Sequence, residues 1–209
     1  KNPEGFRQGD MTLDDVLSAR LISTPLTARD CCLVTDGAAA VVMTRADRAA
    51  STRAPIPLLG GAQTVTHKEI AAMPDLTVTG AAISGPQAMQ AAGITPDDVD
   101  CVQLYDAFTI NTILFLEDLG FCPKGEGGRF VSSGAIAPSG ALPVNTNGGG
   151  LSCVHPGMYG IFTLVEAVRQ LRGDAGDRQI GSAELALAHG SGGVLSSQVT
   201  NILGTEATL

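Results

Sequence analysis

The stretch from Val99 to Leu119 leaves this chain little choice of fold. Val99 to Leu104 reads as a buried strand, and Tyr105-Asp106-Ala107 alone separate it from a helical pattern over Phe108 to Leu119. In that helix positions 108, 110, 113, 114, 115, 116 and 119 are apolar and Gly120 ends it, so the helix is largely buried as well. A buried strand feeding a buried helix needs cover on both faces, which calls for a layered α/β arrangement.

The rest of the chain agrees. Ile56 to Val65 reads as a strand, Ser84 to Gly93 as a helix with Gly93 at its C-cap, and Pro156 to Leu171 as a second long helix. Glu184 to Ala188 and Val194 to Ile202 read as two closing strands, with His189-Gly190-Ser191-Gly192-Gly193 as the turn between them. The expected fold is α/β with a mixed sheet and no tandem repeat. Upstream, Thr12 reads as a possible helix cap. After a turn at Thr35-Asp36-Gly37, the apolar run Ala38 to Met43 reads as a buried strand, which must find partners to be stable. Gly125 to Gly150 has no clear period and is expected to be mostly loop.

Composition narrows the chemistry. A net charge of −8 and a pI near 4.7 argue against nucleic-acid binding, which needs a basic surface. No apolar run reaches the ~18 residues of a membrane span, so no membrane insertion and a cytoplasmic location are expected. The five cysteines show no C-x-x-C and no disulfide spacing, so reduced and mostly buried thiols are expected, with no metal site. Proton-moving side chains are scarce: the chain has two Tyr (Tyr105, Tyr159) and three His (His67, His155, His189). His67 falls in a polar stretch and is expected at the surface.

Three short blocks gather the others. Asn145-Thr146-Asn147-Gly148-Gly149-Gly150 precedes Val154-His155-Pro156-Gly157-Met158-Tyr159-Gly160. Its glycines let backbone approach a ligand, and His155 at a helix start would stay neutral and face a developing oxyanion. The plainer reading is a glycine turn beside a structural His. Tyr105-Asp106-Ala107-Phe108 stands where α/β folds place reactive groups, or is a turn anchor with Asp106 as helix cap. His189 to Gly193 is either a functional block or a tight hairpin.

Taken in order, Y-D-A-F, N-T-N-G-G-G-x-x-x-x-H-P-G-M-Y-G and H-G-S-G-G resemble the C-terminal signature blocks of the thiolase superfamily, nearest its sterol-carrier and lipid-transfer branch. D-G-A-A-A-V-V-M from Asp36 to Met43 resembles the last strand of a thiolase first half. The resemblance implies a thiolase-like fold, layered αβαβα in the complete enzyme and usually dimeric. Residues 1–50 would be the tail of the N-terminal half, and 51–209 the C-terminal βαβαβαββ half. It implies catalytic roles for Tyr105, His155, Tyr159 and His189. Substrate binding would fall to Asn147, Gly148, Gly149, Gly150, Gly190, Ser191 and Gly192.

The chain departs from the family at two blocks. Tyr105 replaces the usual Asn or His, and H-G-S-G-G lacks the acid/base Cys. The family's nucleophilic Cys belongs to the first half, and none of Cys31, Cys32, Cys101, Cys122 or Cys153 falls on a catalytic block. These departures resemble the thiolase-like aldolases of bacterial steroid side-chain breakdown, which cleave β-hydroxyacyl-CoA through a tyrosine pair. That branch implies no resident cofactor beyond the coenzyme A of the substrate, a homodimer, and a possible small OB-fold partner subunit. A thiolase-type acyltransferase with its Cys elsewhere, and a non-catalytic acyl-CoA or lipid-binding subunit, remain the alternatives.

Overall fold

The computed structural model describes residues 2–49 and 54–209. Its centre is a mixed sheet of strands β3 (Leu58–Val65), β4 (Cys101–Leu104), β5 (Leu185–Gly192) and β6 (Ser197–Gly204), in the order β3-β6-β5-β4. β6 runs antiparallel to both neighbours, and β4 runs parallel to β5. Beyond β4, Val144 adds an isolated one-residue parallel bridge to Val102.

Helices cover both faces. Helix α2 (Ala81–Ala92) and helix α3 (Thr109–Asp118) pack on one face around Ala88, Phe115, Leu116, Leu187 and Ile202. Helix α6 (Gly160–Arg172) packs on the other around Ala167, Leu171, Ala186 and Ala188. The strands alternate accordingly. In β4, Cys101 faces α6 while Val102 and Leu104 face α2 and α3. In β5, Ala186 and Ala188 face α6 and Leu187 faces the other way, because every residue of the strand's centre is buried.

Several expectations hold. Gly93 caps α2 in the left-handed conformation (φ 71°), and Gly120 ends the segment after α3 (φ 87°). Thr12 caps helix α1 (Leu13–Leu17) through a reciprocal pair of bonds with Asp15. A small hairpin of β1 (Leu21–Ser23) and β2 (Leu26–Thr27) follows. All five cysteines are unpaired, with Cys101, Cys122 and Cys153 buried.

Others need correction. Ala38 to Met43 has no regular secondary structure and joins no ladder, and Val42 and Met43 are 96% and 73% exposed. No strand among the described residues lies beside it to take its backbone donors and acceptors. The glycine-rich segment is not all loop. It holds helix α4 (Gly127–Ser132), the Val144 bridge and the first residues of helix α5 (Gly149–Ser152). His67 is buried, its Nδ1 on the Thr66 hydroxyl at 2.9 Å and its Nε2 on the Val194 carbonyl at 3.3 Å. The β5–β6 turn falls later than expected. β5 continues through His189 to Gly192, and Gly193, Val194 and Leu195 make the turn at φ 58°, 55° and 66°. The boundary expected between residues 50 and 51 lies outside the described residues.

Candidate active site

The site forms where β4 and the start of α6 meet on one face of the sheet. β4 delivers Tyr105 at its C-terminal end, two residues beyond Gln103. Tyr159 occupies the N-cap position of α6, and His155 lies in the turn that precedes it. The Tyr105 ring meets the His155 ring edge-on at 5.4 Å and the Tyr159 ring edge-on at 5.7 Å. His155 and Tyr159 lie nearly parallel at 6.3 Å, and Phe162 backs Tyr159 at 5.8 Å. Three side chains from two separate sequence blocks thus share one ring cluster.

Their environments differ. Tyr105 is half-buried and its hydroxyl donates to the Gly157 carbonyl at 3.3 Å. Tyr159 is fully buried and its hydroxyl donates to Asn147 Oδ1 at 3.1 Å. Burial first, and the nearby Asp106 carboxyl second, push the Tyr159 phenol well above its ordinary range, so it stays protonated. Burial also lowers the His155 pKa, which keeps the imidazole neutral near pH 7. His155 Nε2 is buried and has no hydrogen-bond partner among the described residues. The helix-start explanation for a neutral His155 does not apply, since α6 begins only at Gly160 and desolvation does the lowering.

The glycine block supports these side chains from behind. Asp106 is buried and accepts the Gly150 amide at 2.6 Å and the Leu151 amide at 3.4 Å. Its role is therefore not to cap α3, whose N-cap is Phe108. A Cβ on Gly149 would strike the Asp106 carboxylate, and one on Gly150 would stand 2.8 Å from His155 Cδ2. These two glycines make room for Asp106 and His155. Gly148 adopts φ 100° at the head of the turn. Asn147 is buried, its Oδ1 shared between the Tyr159 hydroxyl and the Gly149 amide at 2.9 Å.

The third block stands apart. His189 is fully buried on the α2/α3 face, opposite the ring cluster. Its Nδ1 bonds Thr200 Oγ1 at 2.9 Å, its Nε2 bonds Gln198 Oε1 at 2.8 Å, and its ring packs on Phe115 at 4.6 Å. Desolvation lowers its pKa to about 4, so it is a neutral core residue. The structure does not bring His189 to the other candidates. Gly190 instead lies beside the first residue of α6, where a Cβ on it would stand 3.7 Å from the Gly160 Cα. Ser191 accepts from Gln198 Nε2 at 3.2 Å, and Gly192 lies exposed at the end of β5.

Sequence reasoning missed one contributor altogether. Residues 31–35 lie across the site: Cys32 N bonds Ala107 O and Leu33 N bonds Gly150 O, each at 2.9 Å. Thr35 Oγ1 accepts the His155 amide at 3.0 Å. No local pattern announces a segment whose partners lie this far along the chain.

Burial raises the thiol pKa of Cys32, Cys122 and Cys153, and pushes that of Cys101 up to about 12. None of these four is a ready thiolate nucleophile at neutral pH.

The profile of the thiolase C-terminal domain-like family matches residues 61–205. The chain belongs to this family. As a thiolase-like C-terminal domain it is 37% identical over 204 residues to the acetyl-CoA acetyltransferase of Methanothermobacter thermautotrophicus, covering 96% of this chain and 53% of that protein. It is 36% identical over 203 residues to the 17-hydroxy-3-oxo-4-pregnene-20-carboxyl-CoA lyase of Mycobacterium tuberculosis, covering 91% of this chain and 51% of that protein. Among solved structures, an Ltp2-ChsH2(DUF35) aldolase superposes with a TM-score of 0.83 at 30% identity, covering 95% of this chain and 52% of that one. The chain spans about half the length of the relatives it matches. The α/β architecture is that of a thiolase-like C-terminal half.

Proposed function

We propose that the full protein cleaves, or in reverse forms, a carbon–carbon bond next to a coenzyme A thioester, by retro-aldol chemistry on a β-hydroxyacyl-CoA. The observation that carries this is the joining of Tyr105, His155 and Tyr159 in one ring cluster, the chain's two tyrosines included. Similarity to a steroid CoA lyase and to an aldolase supports the reaction class. Lipid or steroid side-chain substrates follow from the same relatives.

In this reading Tyr105, the half-buried tyrosine, takes the β-hydroxyl proton on its oxygen as it passes its own proton on toward Tyr159, so no free base is needed. The Cα–Cβ bond then breaks to release a ketone, and its electrons pass to the thioester as an enolate. Neutral His155 offers its unpartnered Nε2 to the enolate oxygen. Tyr159, kept protonated by burial, supplies the proton that the α-carbon takes, and proton return between the tyrosines completes the cycle. No acyl-enzyme forms and no resident cofactor is needed. Asn147 holds the Tyr159 hydroxyl, while Gly148, Gly149 and Gly150 shape the turn. Gly190, Ser191 and Gly192 form the rim nearest the substrate. His189 contributes to the core beneath this rim.

A homodimer, and a second small subunit such as the ChsH2(DUF35) component named for the structural relative, belong to the same reading. So does a cytoplasmic location, which suits five unpaired cysteines.

Acyl transfer is the second reading, because an acetyltransferase is 37% identical. The test is to offer the full-length protein a tertiary β-hydroxyacyl-CoA and, separately, a 3-ketoacyl-CoA with free coenzyme A. Ketone release from the first supports the proposal. Thiolysis of the second that is abolished by thiol alkylation supports acyl transfer. Tight binding without turnover of either identifies a binding subunit.

A further inference from the structure

A buried polar cluster lies behind the ring cluster, on the same face of the sheet, and the proposed chemistry does not use it. Glu166 lies on the inner side of α6, and Arg178 follows in the 3-10 turn Gly176–Arg178. Arg178 Nε meets Glu166 Oε1 at 3.0 Å and Nη2 meets Oε2 at 3.1 Å, with the Arg178 side chain 9% and the Glu166 side chain 2% exposed. Burying two charges is costly, and apolar residues of similar size commonly stabilise a core as well or better. Stability alone does not account for the pair.

Its further bonds point to the site. Thr146 Oγ1 donates to Glu166 Oε1 at 2.7 Å and accepts from Gln103 Nε2 at 3.1 Å and Gln170 Nε2 at 3.0 Å. Thr146 is the middle of Asn145-Thr146-Asn147, whose outer members bond the Tyr159 hydroxyl and the backbone of Leu104, the residue before Tyr105. Asn145, held at φ 49°, accepts the Leu104 amide at 2.6 Å, one residue before Tyr105. Asn147 accepts the Tyr159 hydroxyl at 3.1 Å. α6 contributes both Tyr159 and Glu166, so the network fixes that helix against this turn at two points.

We infer that Glu166, clamped by Arg178, is a positioning residue that acts through Thr146: it fixes the Asn145–Asn147 turn and so holds the Tyr159 hydroxyl in register with Tyr105 and His155. The inference rests on the proton-donating role proposed for Tyr159. It concerns geometry, because Glu166 touches neither ring.

A mutant cycle on the full-length protein tests it, with cleavage of a β-hydroxyacyl-CoA as the assay. Thr146→Val breaks the tie and leaves the ion pair. It is expected to lower kcat by roughly tenfold to a hundredfold, the usual effect of a small misplacement, with KM within about twofold. Thr146→Ser restores the hydroxyl and most of kcat. In a Tyr159→Phe background, Thr146→Val removes nothing further, because the group it positions is gone. Wild-type kcat for Thr146→Val overturns the inference. So does an equal loss in both backgrounds, which marks a general structural effect. If Tyr159→Phe alone leaves kcat unchanged, the reading of Tyr159 falls and the inference with it. Should Thr146→Val melt below the assay temperature, Glu166→Gln runs through the same cycle with the same expectations.

Discussion

The Asp106 carboxylate accepts the Gly150 amide at 2.6 Å, and this bond ties the β4–α3 junction to the glycine turn that carries His155. Tyr105 and Asp106 are adjacent yet have opposite fates. One presents a half-exposed hydroxyl at the site, and the other is buried behind it and sets the turn.

Gly149 is the position where this tie tolerates least. It holds φ 65°, and a Cβ there would strike Asp106. Gly149→Ala is expected to destabilise the protein by about 1–3 kcal/mol through backbone strain plus displacement of Asp106. Gly128, in α4 with open space around it, is the control. Gly128→Ala is expected to be neutral or stabilising by about 0.5–1 kcal/mol. Thermal melts of the two variants check the contrast.

Asp106 and His189 make opposite contributions to stability with pH. Burial raises the Asp106 pKa from 3.8 to about 7, so the unfolded chain is the more ionised between those values. Its contribution to stability therefore falls as pH rises from 4 to 7. His189 is lowered from 6.5 to about 4, so the unfolded chain binds the extra proton in that window. Its contribution falls as pH drops from 6.5 to 4. Each is on the order of 3–4 kcal/mol across its window, so they largely cancel. Denaturant melts at pH 4.5 and 7 should show Asp106→Asn losing stability in acid and His189→Gln gaining it. Parallel pH profiles for wild type and both variants would contradict this.

His155 is neutral at pH 7, since burial holds its pKa below 6.5. The acid limb of kcat is therefore expected below pH 6.5. His155→Ala is expected to cost about 10²–10³ in kcat, the usual effect of losing an oxyanion donor. His155→Gln, which keeps an N–H, should recover part of it. Steady-state kinetics across pH 5 to 8 read both effects.

The layered fold and the ring cluster are legible in the sequence for one reason. Tyr105, His155 and Tyr159 each lie at a junction between an apolar run and a turn, where local chemistry marks the position. Long-range partners leave no such mark. The Asp106–Gly150 bond spans 44 residues, and the His155–Thr35 bond spans 120. His189 misleads because glycines on its C-terminal side imitate a turn, while the actual turn uses Val194 and Leu195 at positive φ, residues that carry no turn signal. The run from Ala38 to Met43 has strand composition without a strand beside it among the described residues, and composition cannot report a partner. Glu166 reads as one polar position in an amphipathic helix, and only the fold brings Arg178 and Thr146 to it.

The central claim is that the tyrosine pair carries bond cleavage, and replacing each hydroxyl tests it most directly. Tyr105→Phe and Tyr159→Phe in the full-length protein keep the rings and remove only the proton-transferring group. Ketone release from a β-hydroxyacyl-CoA is expected to fall by about 10²–10⁴ in kcat for each variant, with melting temperatures near wild type. Unchanged kcat in both variants would contradict the account.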